Sequence, residues 1–307
     1  TCDIGKTLGY TTEEYALSYK GEKICMCGIE KLYEDELEDV YSCNIESKKE
    51  EITAYSYKAS SYPSPKVGVA KPKFLIPVFP GTNCEYDSAK AVRDAGAEPE
   101  IFVINNLSSA GISRSVEAFA KKAYESQIIF IPGGFSGGDE PDGRGKFITA
   151  FMRNGAVKEQ INELLNTRKG LMAGVCNGFQ AIIKLGLVPY GEIIDTTEDD
   201  PTLTFNVIGK HRSSLVRTRI ASNKSPWLAA TNVGDIYTVP ISHGEGRFLA
   251  SRELVEKLAA NGQIATQYVD LEGNPSSDIR YNPNGSICAI EGITSPDGRV
   301  FGKMGHS

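Results

Sequence analysis

Leu171-Met172-Ala173-Gly174-Val175-Cys176-Asn177-Gly178-Phe179-Gln180 reads as an apolar strand that bends into a helix, with a cysteine at the bend. The strand is apolar throughout rather than on alternate residues, which is the pattern of a strand covered on both faces. Small residues at 174 and 178 let the backbone turn sharply and let adjacent elements approach closely. This is the logic of a nucleophile elbow with Cys in place of Ser. Such a turn exposes the thiol at the sheet edge and sets the sulfur at a helix N-terminus, where unpaired amides stabilise a thiolate. Taken alone, the stretch equally fits a cysteine that merely packs at a strand–helix junction.

The surrounding chain favours the first reading. Upstream lie apolar runs at 74–79, 101–104 and 128–131. Helical stretches separate them: one through Ala89, Val92 and Ala95, one over 113–124 and a longer one over about 146–167. Apolar strands alternating with helices predict a parallel sheet covered on both faces, whose right-handed crossovers gather the strand C-termini along one edge. Ligands of such sheets sit at that edge. After about residue 200 the rhythm loosens, and strands are predicted at 203–207, 214–220, 236–241, 263–269, 286–293 and 300–303. Turns such as Asn282-Pro283-Asn284-Gly285 make these antiparallel additions.

The run 128–131 ends in Pro132-Gly133-Gly134-Phe135-Ser136-Gly137-Gly138-Asp139-Glu140. Its glycines open conformations closed to other residues and leave amides unshielded, as an oxyanion hole requires. The Asn177 amide is the candidate second donor. A phosphate-cradling loop is the alternative, although the Gly-Lys-Ser/Thr ending is missing. A thiol nucleophile gains from a base. His211, between Lys210 and Arg212, reads as solvated. His243, with Glu245 two residues on, and His306, after the last strand, are both candidates, and spacing alone favours His243. Cys84 also follows a strand and is a lesser candidate nucleophile.

With 307 residues, 40% hydrophobic and 23% charged, the composition is that of a globular protein. A net charge of −6 argues against nucleic-acid and basic membrane-surface roles. No apolar run is long enough to span a bilayer, and the first residues hold no signal core. Seven scattered cysteines, without Cys-x-x-Cys spacing, read as free thiols in a reducing cytoplasm and not as a metal site. Residues 1–65 are different in character, acidic and Tyr-rich, then polar up to Ser60-Ser61-Tyr62-Pro63-Ser64-Pro65, a linker signature that puts a boundary near residue 70. The missing initiator Met and the abrupt C-terminus suit a piece of a longer polypeptide.

Six ordered motifs carry a resemblance: Pro80-Gly81-Thr82-Asn83-Cys84-Glu85, Pro132-Gly133-Gly134-Phe135-Ser136-Gly137-Gly138-Asp139, Gly174-Val175-Cys176-Asn177-Gly178-Phe179-Gln180, Ser242-His243-Gly244-Glu245-Gly246-Arg247-Phe248, Asn282-Pro283-Asn284-Gly285-Ser286 and Gly302-Lys303-Met304-Gly305-His306-Ser307. Over about residues 72–307 the chain resembles the glutaminase domains of the phosphoribosylformylglycinamidine synthases of purine biosynthesis. Residues 9–41 look more weakly like the tail of the synthetase portion of a single-chain form. The resemblance implies an α/β, flavodoxin-like class I amidotransferase fold over 71–307, behind a synthetase tail and linker over 1–70.

The resemblance also implies a Cys–His–Glu triad. Cys176 is then the nucleophile and His306 the base, which overturns the spacing argument for His243. The Glu would be residue 308, one past the end, so weak or no turnover is expected of this chain by itself. Gly133, Gly134, Phe135 and Asn177 are the implied oxyanion and substrate contacts, and Gln180 the residue against the substrate glutamine. Asn83, His243 and Glu245 fall to a loop at the site or the synthetase interface. Glutamine and the synthetase domains of the same polypeptide are the implied partners. No cofactor is expected in this chain, and ATP and magnesium belong to the synthetase. Two rivals stay open: a cysteine hydrolase of similar fold without a synthetase, and a catalytically incompetent docking fragment.

Overall fold

The computed structural model describes residues 5–40, 42, 45, 50–63, 68–135 and 145–306. The chain divides into two compact units, Thr1–Glu46 and Ser47–Ser307. The smaller holds an antiparallel hairpin of β1 (Ala16–Tyr19) and β2 (Glu22–Cys25), followed directly by helix α1 (Met26–Asp35). Seven of the eight strand residues are exposed, so no apolar alternation announces them. Cys25 and Cys27 are joined by a disulfide, contrary to the reading of every cysteine as a free thiol. Their Cα atoms lie 5.3 Å apart where strand gives way to helix, within bridging range.

The larger unit begins with β3 (Lys73–Val78), α2 (Glu85–Asp94), β4 (Glu98–Val103), α3 (Ser109–Glu125), β5 (Ile128–Ile131), α4 (Lys146–Met152), α5 (Gly155–Asn162), β6 (Leu171–Val175) and α6 (Asn177–Lys184). It continues with a short helical turn α7 (Leu187–Tyr190), then β7 (Thr202–Phe205), β8 (Arg212–Ile220), β9 (Ile236–His243), β10 (Glu245–Leu249), α8 (Arg252–Ala260), β11 (Ile264–Val269), β12 (Ile290–Thr294) and β13 (Val300–Lys303). Nine strands form one sheet in the order β4-β3-β5-β6-β13-β12-β11-β8-β9. The first five run parallel and the rest pair antiparallel. An α/β sheet with antiparallel additions is therefore the architecture, as the alternation of apolar runs required.

Local chemistry explains where expected boundaries shift. The helix expected over 146–167 is broken in two, because the Asn154 side chain caps α5 by accepting from the Ala156 amide. A π-helical turn at Glu163–Thr167 finishes it. Ser108 caps α3 and Ser251 caps α8 in the same way. The strand expected at 203–207 leaves the main sheet and pairs with β10. The strand expected at 286–293 starts only at Ile290, since Cys288 (φ 51°) and Ala289 (φ 55°) fall in the left-handed region. Neither β10 nor α8 was expected.

Residues 50–63, read as linker, are tied to the larger unit. The Tyr57 amide donates to the Ala221 carbonyl at 2.9 Å and the Tyr55 amide to Gln267 Oε1 at 3.0 Å. The Arg219 guanidinium donates to the Tyr55 carbonyl.

The sheet cannot be flat. Strands spaced about 4.8 Å apart put β9 roughly 19 Å from β13. Three residues reach at most about 10 Å, yet His306, three past the end of β13, donates its amide to the Pro240 carbonyl of β9. The antiparallel half therefore curls back over the C-terminal ends of the parallel strands. That curl encloses the site.

Candidate active site

Cys176 links β6 to α6 with φ 51° and ψ −107°, a strained conformation for a residue with a Cβ. Its flanking glycines explain how the bend closes. A Cβ on Gly174 would lie 2.6 Å from the Gly178 backbone, and one on Gly178 would strike the Ile131 carbonyl. The Cys176 amide donates to the Lys303 carbonyl of β13 at 2.9 Å, and its own carbonyl accepts from Gln180. Both backbone ends of the bend are thus fixed. The residue is 3% exposed, so the cysteine is buried and not exposed at the sheet edge as the turn alone suggests; core side chains pack around the bend.

His306 comes from the end of the strand beside β6, and the structure brings it to the same sheet edge as Cys176. Its ring rests on Gly133: a Cβ there would be 2.5 Å from Cε1 and 3.3 Å from Nε2. Nδ1 lies 3.9 Å from the Cys84 sulfur. His306, Gly133, Cys84 and Lys303 line the upper end of a cavity of about 620 Å³ that runs down the sheet face to Phe130, Trp227 and Phe301. Burial holds the His306 pKa below its ordinary value; the Lys303 ammonium adds to the shift and the Glu291 carboxylate opposes it. The imidazole is therefore neutral at pH 7 and able to take a proton. Burial and the carboxylates of Asp87 and Glu85 push the Cys84 thiol up, which disfavours its thiolate. That thiol donates to Asn83 Oδ1 at 3.1 Å.

The glycine-rich loop departs in part from expectation. Thr82 and Gly134 form an isolated antiparallel bridge, in which Phe135 donates its amide to the Gly81 carbonyl at 2.8 Å and Asn83 donates to Gly133. The Phe135 amide is thus committed to the loop and is not presented as an oxyanion donor. Gly134, at φ 151°, has room for no side chain: a Cβ would lie 2.5 Å from the Gly81 carbonyl oxygen. With its neighbours' polar groups turned to residues 81–83, the Gly134 amide points the other way. Asn177, the first residue of α6, carries an amide of the turn that a helix leaves without intrahelical acceptors. Ser136, Gly137, Gly138, Asp139 and Glu140 lie outside the described residues.

Behind the elbow is a buried polar network. Gln180, expected against the substrate, is fully buried. Its Oε1 accepts from Asn177 Nδ2 at 2.9 Å and its Nε2 donates to the Glu245 carbonyl at 2.6 Å. It struts the elbow helix against β10. His243 and Glu245, expected on a contact loop, are buried too, and His243 Nε2 lies 2.8 Å from Asn284 Oδ1. Asn284 Nδ2 donates to the Gly246 carbonyl and to the Tyr268 hydroxyl. Tyr268 is fully buried, its pKa held well above the ordinary value by desolvation, then by the Glu291 charge, with Cys176 adding to the rise. Its hydroxyl is therefore a neutral group beside the elbow. His211, read as solvated, is exposed; its ring centroid lies 5.9 Å from that of Phe135 and its Nε2 2.9 Å from the Ser242 hydroxyl.

The model of the CobB/CobQ-like glutamine amidotransferase domain matches residues 71–307. The chain belongs to that family. It is 35% identical over 241 residues to the phosphoribosylformylglycinamidine synthase subunit PurQ of Methanococcus maripaludis, covering 76% of this chain and 81% of the relative. The PurQ subunit of Aquifex aeolicus is 31% identical over 243 residues, covering 76% and 89%. Among solved structures, PurLQS from Thermotoga maritima aligns with a TM-score of 0.54 at 26% identity, covering 77% of this chain and 87% of that one.

For a glutamine amidotransferase the juxtaposition has direct chemical meaning: a strained elbow cysteine, a neutral imidazole on the adjacent strand end, and a glycine loop against the imidazole. Among the described residues no group of three His, Cys, Asp or Glu side chains is placed to hold a metal, and no helix is long and apolar enough to cross a membrane. Sequence reasoning missed Tyr268, Lys303 as a neighbour of His306, and Asn284 as the link to His243. Asn284 lies in a stretch that reads as a turn, and a turn-forming Asn says nothing of which buried group its amide will meet.

Proposed function

We propose that this chain hydrolyses glutamine to glutamate and ammonia, with Cys176 as nucleophile and His306 as its base. The observation that carries the proposal is the left-handed Cys176 elbow beside the His306 strand end, in a chain of the amidotransferase family. His306 takes the thiol proton as sulfur attacks the side-chain amide carbon of glutamine. The tetrahedral oxyanion forms against backbone donors, with Gly134 and Asn177 the best placed. The C–N bond then breaks as His306 returns the proton to the leaving nitrogen, releasing ammonia and a γ-glutamyl thioester. Water adds to the thioester, His306 takes its proton, and the C–S bond breaks to restore the thiol.

The PurQ relatives support the destination of the ammonia: a synthetase that converts formylglycinamide ribonucleotide to formylglycinamidine ribonucleotide, here read as part of the same polypeptide. ATP and magnesium belong to that synthetase, since thiol attack on the amide and hydrolysis of the thioester call for neither. A cytoplasmic location follows from that pathway role.

A second reading has one observation in its favour, the 3.9 Å approach of Cys84 to His306. Ammonia release measured on the Cys176→Ala and Cys84→Ala variants separates the two. Loss in Cys176→Ala alone supports the proposal; loss in Cys84→Ala with activity retained in Cys176→Ala refutes it.

A further inference from the structure

Glu291 on β12 is a carboxylate at 1% exposure, and the arrangement around it is specific. Its Oε1 accepts from the Gly305 amide at 2.6 Å, and its Oε2 accepts from the Thr266 hydroxyl of β11. Its backbone carbonyl accepts from the Met304 amide at 3.3 Å. The next amide, that of His306, donates to Pro240. Three successive amides leading to the imidazole are thereby held, two of them by Glu291. Gly305 is wedged in place: a Cβ there would lie 2.6 Å from the Val239 side chain and 3.1 Å from Glu291 Oε1. Both carboxylate oxygens have hydrogen-bond partners, so neither is buried unpaired. Burying a carboxylate is costly, and an amide of the same shape would accept from Gly305 equally well. The charge therefore needs a reason beyond holding a peptide.

We infer that Glu291 is a positioning residue for His306, fixing the peptide that leads to the imidazole and placing a negative charge where the imidazolium forms. The inference rests on the function proposed for the same site. When His306 takes the thiol proton, a positive charge appears in a half-buried ring beside the Lys303 ammonium, and among the described residues Glu291 supplies a carboxylate whose field opposes that cost. The titratable and charged groups around the ring are Lys303 on its own strand, Cys84 and Asp87 from the α2 side of the cavity, and Glu291 from β12. Asp87 is on an accessible helix face, whereas Glu291 is sealed from solvent and from screening.

The variants Glu291→Gln and Glu291→Ala test this in the 307-residue chain. Glutamine keeps the acceptor for Gly305, and the Thr266 hydroxyl can turn to accept from its amide. NMR titration of the His306 ring, with His306→Asn as the assignment control, is read beside ammonia release and thermal melting. Expected for Glu291→Gln are a His306 midpoint below wild type, a loss of about tenfold in kcat and a KM within about twofold. Expected for Glu291→Ala is a larger loss, together with a changed His306 chemical environment in the folded protein. A His306 midpoint unchanged in Glu291→Gln overturns the inference, whatever the rates. If a glutamine-mimicking electrophile leaves Cys176 unlabelled in wild type, the functional reading fails while the His306 midpoint still decides on Glu291.

Discussion

Replacing Gly133 with alanine tests the geometry around His306. The added methyl would lie 2.5 Å from His306 Cε1, with Nε2 at 3.3 Å and the Cys84 sulfur at 3.4 Å. Carbon atoms settle at about 3.5 Å or more, so the imidazole must retreat by about 1 Å. It cannot retreat freely, because its own amide is bonded to Pro240 and the preceding glycine is pinned by Glu291. A misplacement of about 1 Å in a catalytic group costs on the order of 100-fold. Gly133 is not among the glycines with positive φ, so the backbone accepts alanine and stability should fall by only about 1 kcal/mol. The assay is steady-state ammonia release with a thermal melt alongside. The expected result is a kcat lower by about 100-fold in a folded protein. A rate within about threefold of wild type would show that His306 does not work from this position.

Other outcomes follow from the same structure. Because burial and Lys303 hold the His306 pKa down, the base stays unprotonated below the usual histidine range; kcat/KM should hold as pH falls through about 6.5 and drop only lower. Gly178→Ala should destabilise by about 3 kcal/mol or more in urea unfolding, since its Cβ would strike the Ile131 backbone carbonyl. A chain starting at residue 71 should melt several degrees below one starting at residue 47. It loses the bonds of Tyr55 and Tyr57 to Gln267, Ala221 and Arg219, together worth about 3 kcal/mol.

Much of the parallel half was legible because its strands are apolar on both faces and its helices periodic, a pattern with few other solutions. The elbow was legible for a related reason: glycines at 174 and 178 are the local signature of a backbone contact with Ile131 and α6. The antiparallel half was harder. The β7 stretch reads as a strand wherever it pairs, and nothing local says that it joins β10 in a separate ribbon. The fate of Gln180 was hidden similarly, since a glutamine four residues past a nucleophile can reach inward to a ligand or sideways to Glu245. Only the packing of β10 decides. Glu291 gave no signal at all, because a glutamate in an apolar strand declares its partners only once Gly305 and Thr266 are brought beside it. The attachment of 50–63 was hidden by composition: Ser and Tyr can solvate a tether or hydrogen-bond across a sheet edge.

The most direct test is to mix the protein with isotope-labelled glutamine, quench in acid within the turnover time, and map the label by peptide mass. A γ-glutamyl thioester on the peptide holding Cys176, absent from Cys176→Ala and accumulating when His306 is replaced by asparagine at high pH, is the predicted result. Label on Cys84, or ammonia released with no acyl-enzyme in wild type, would contradict the account.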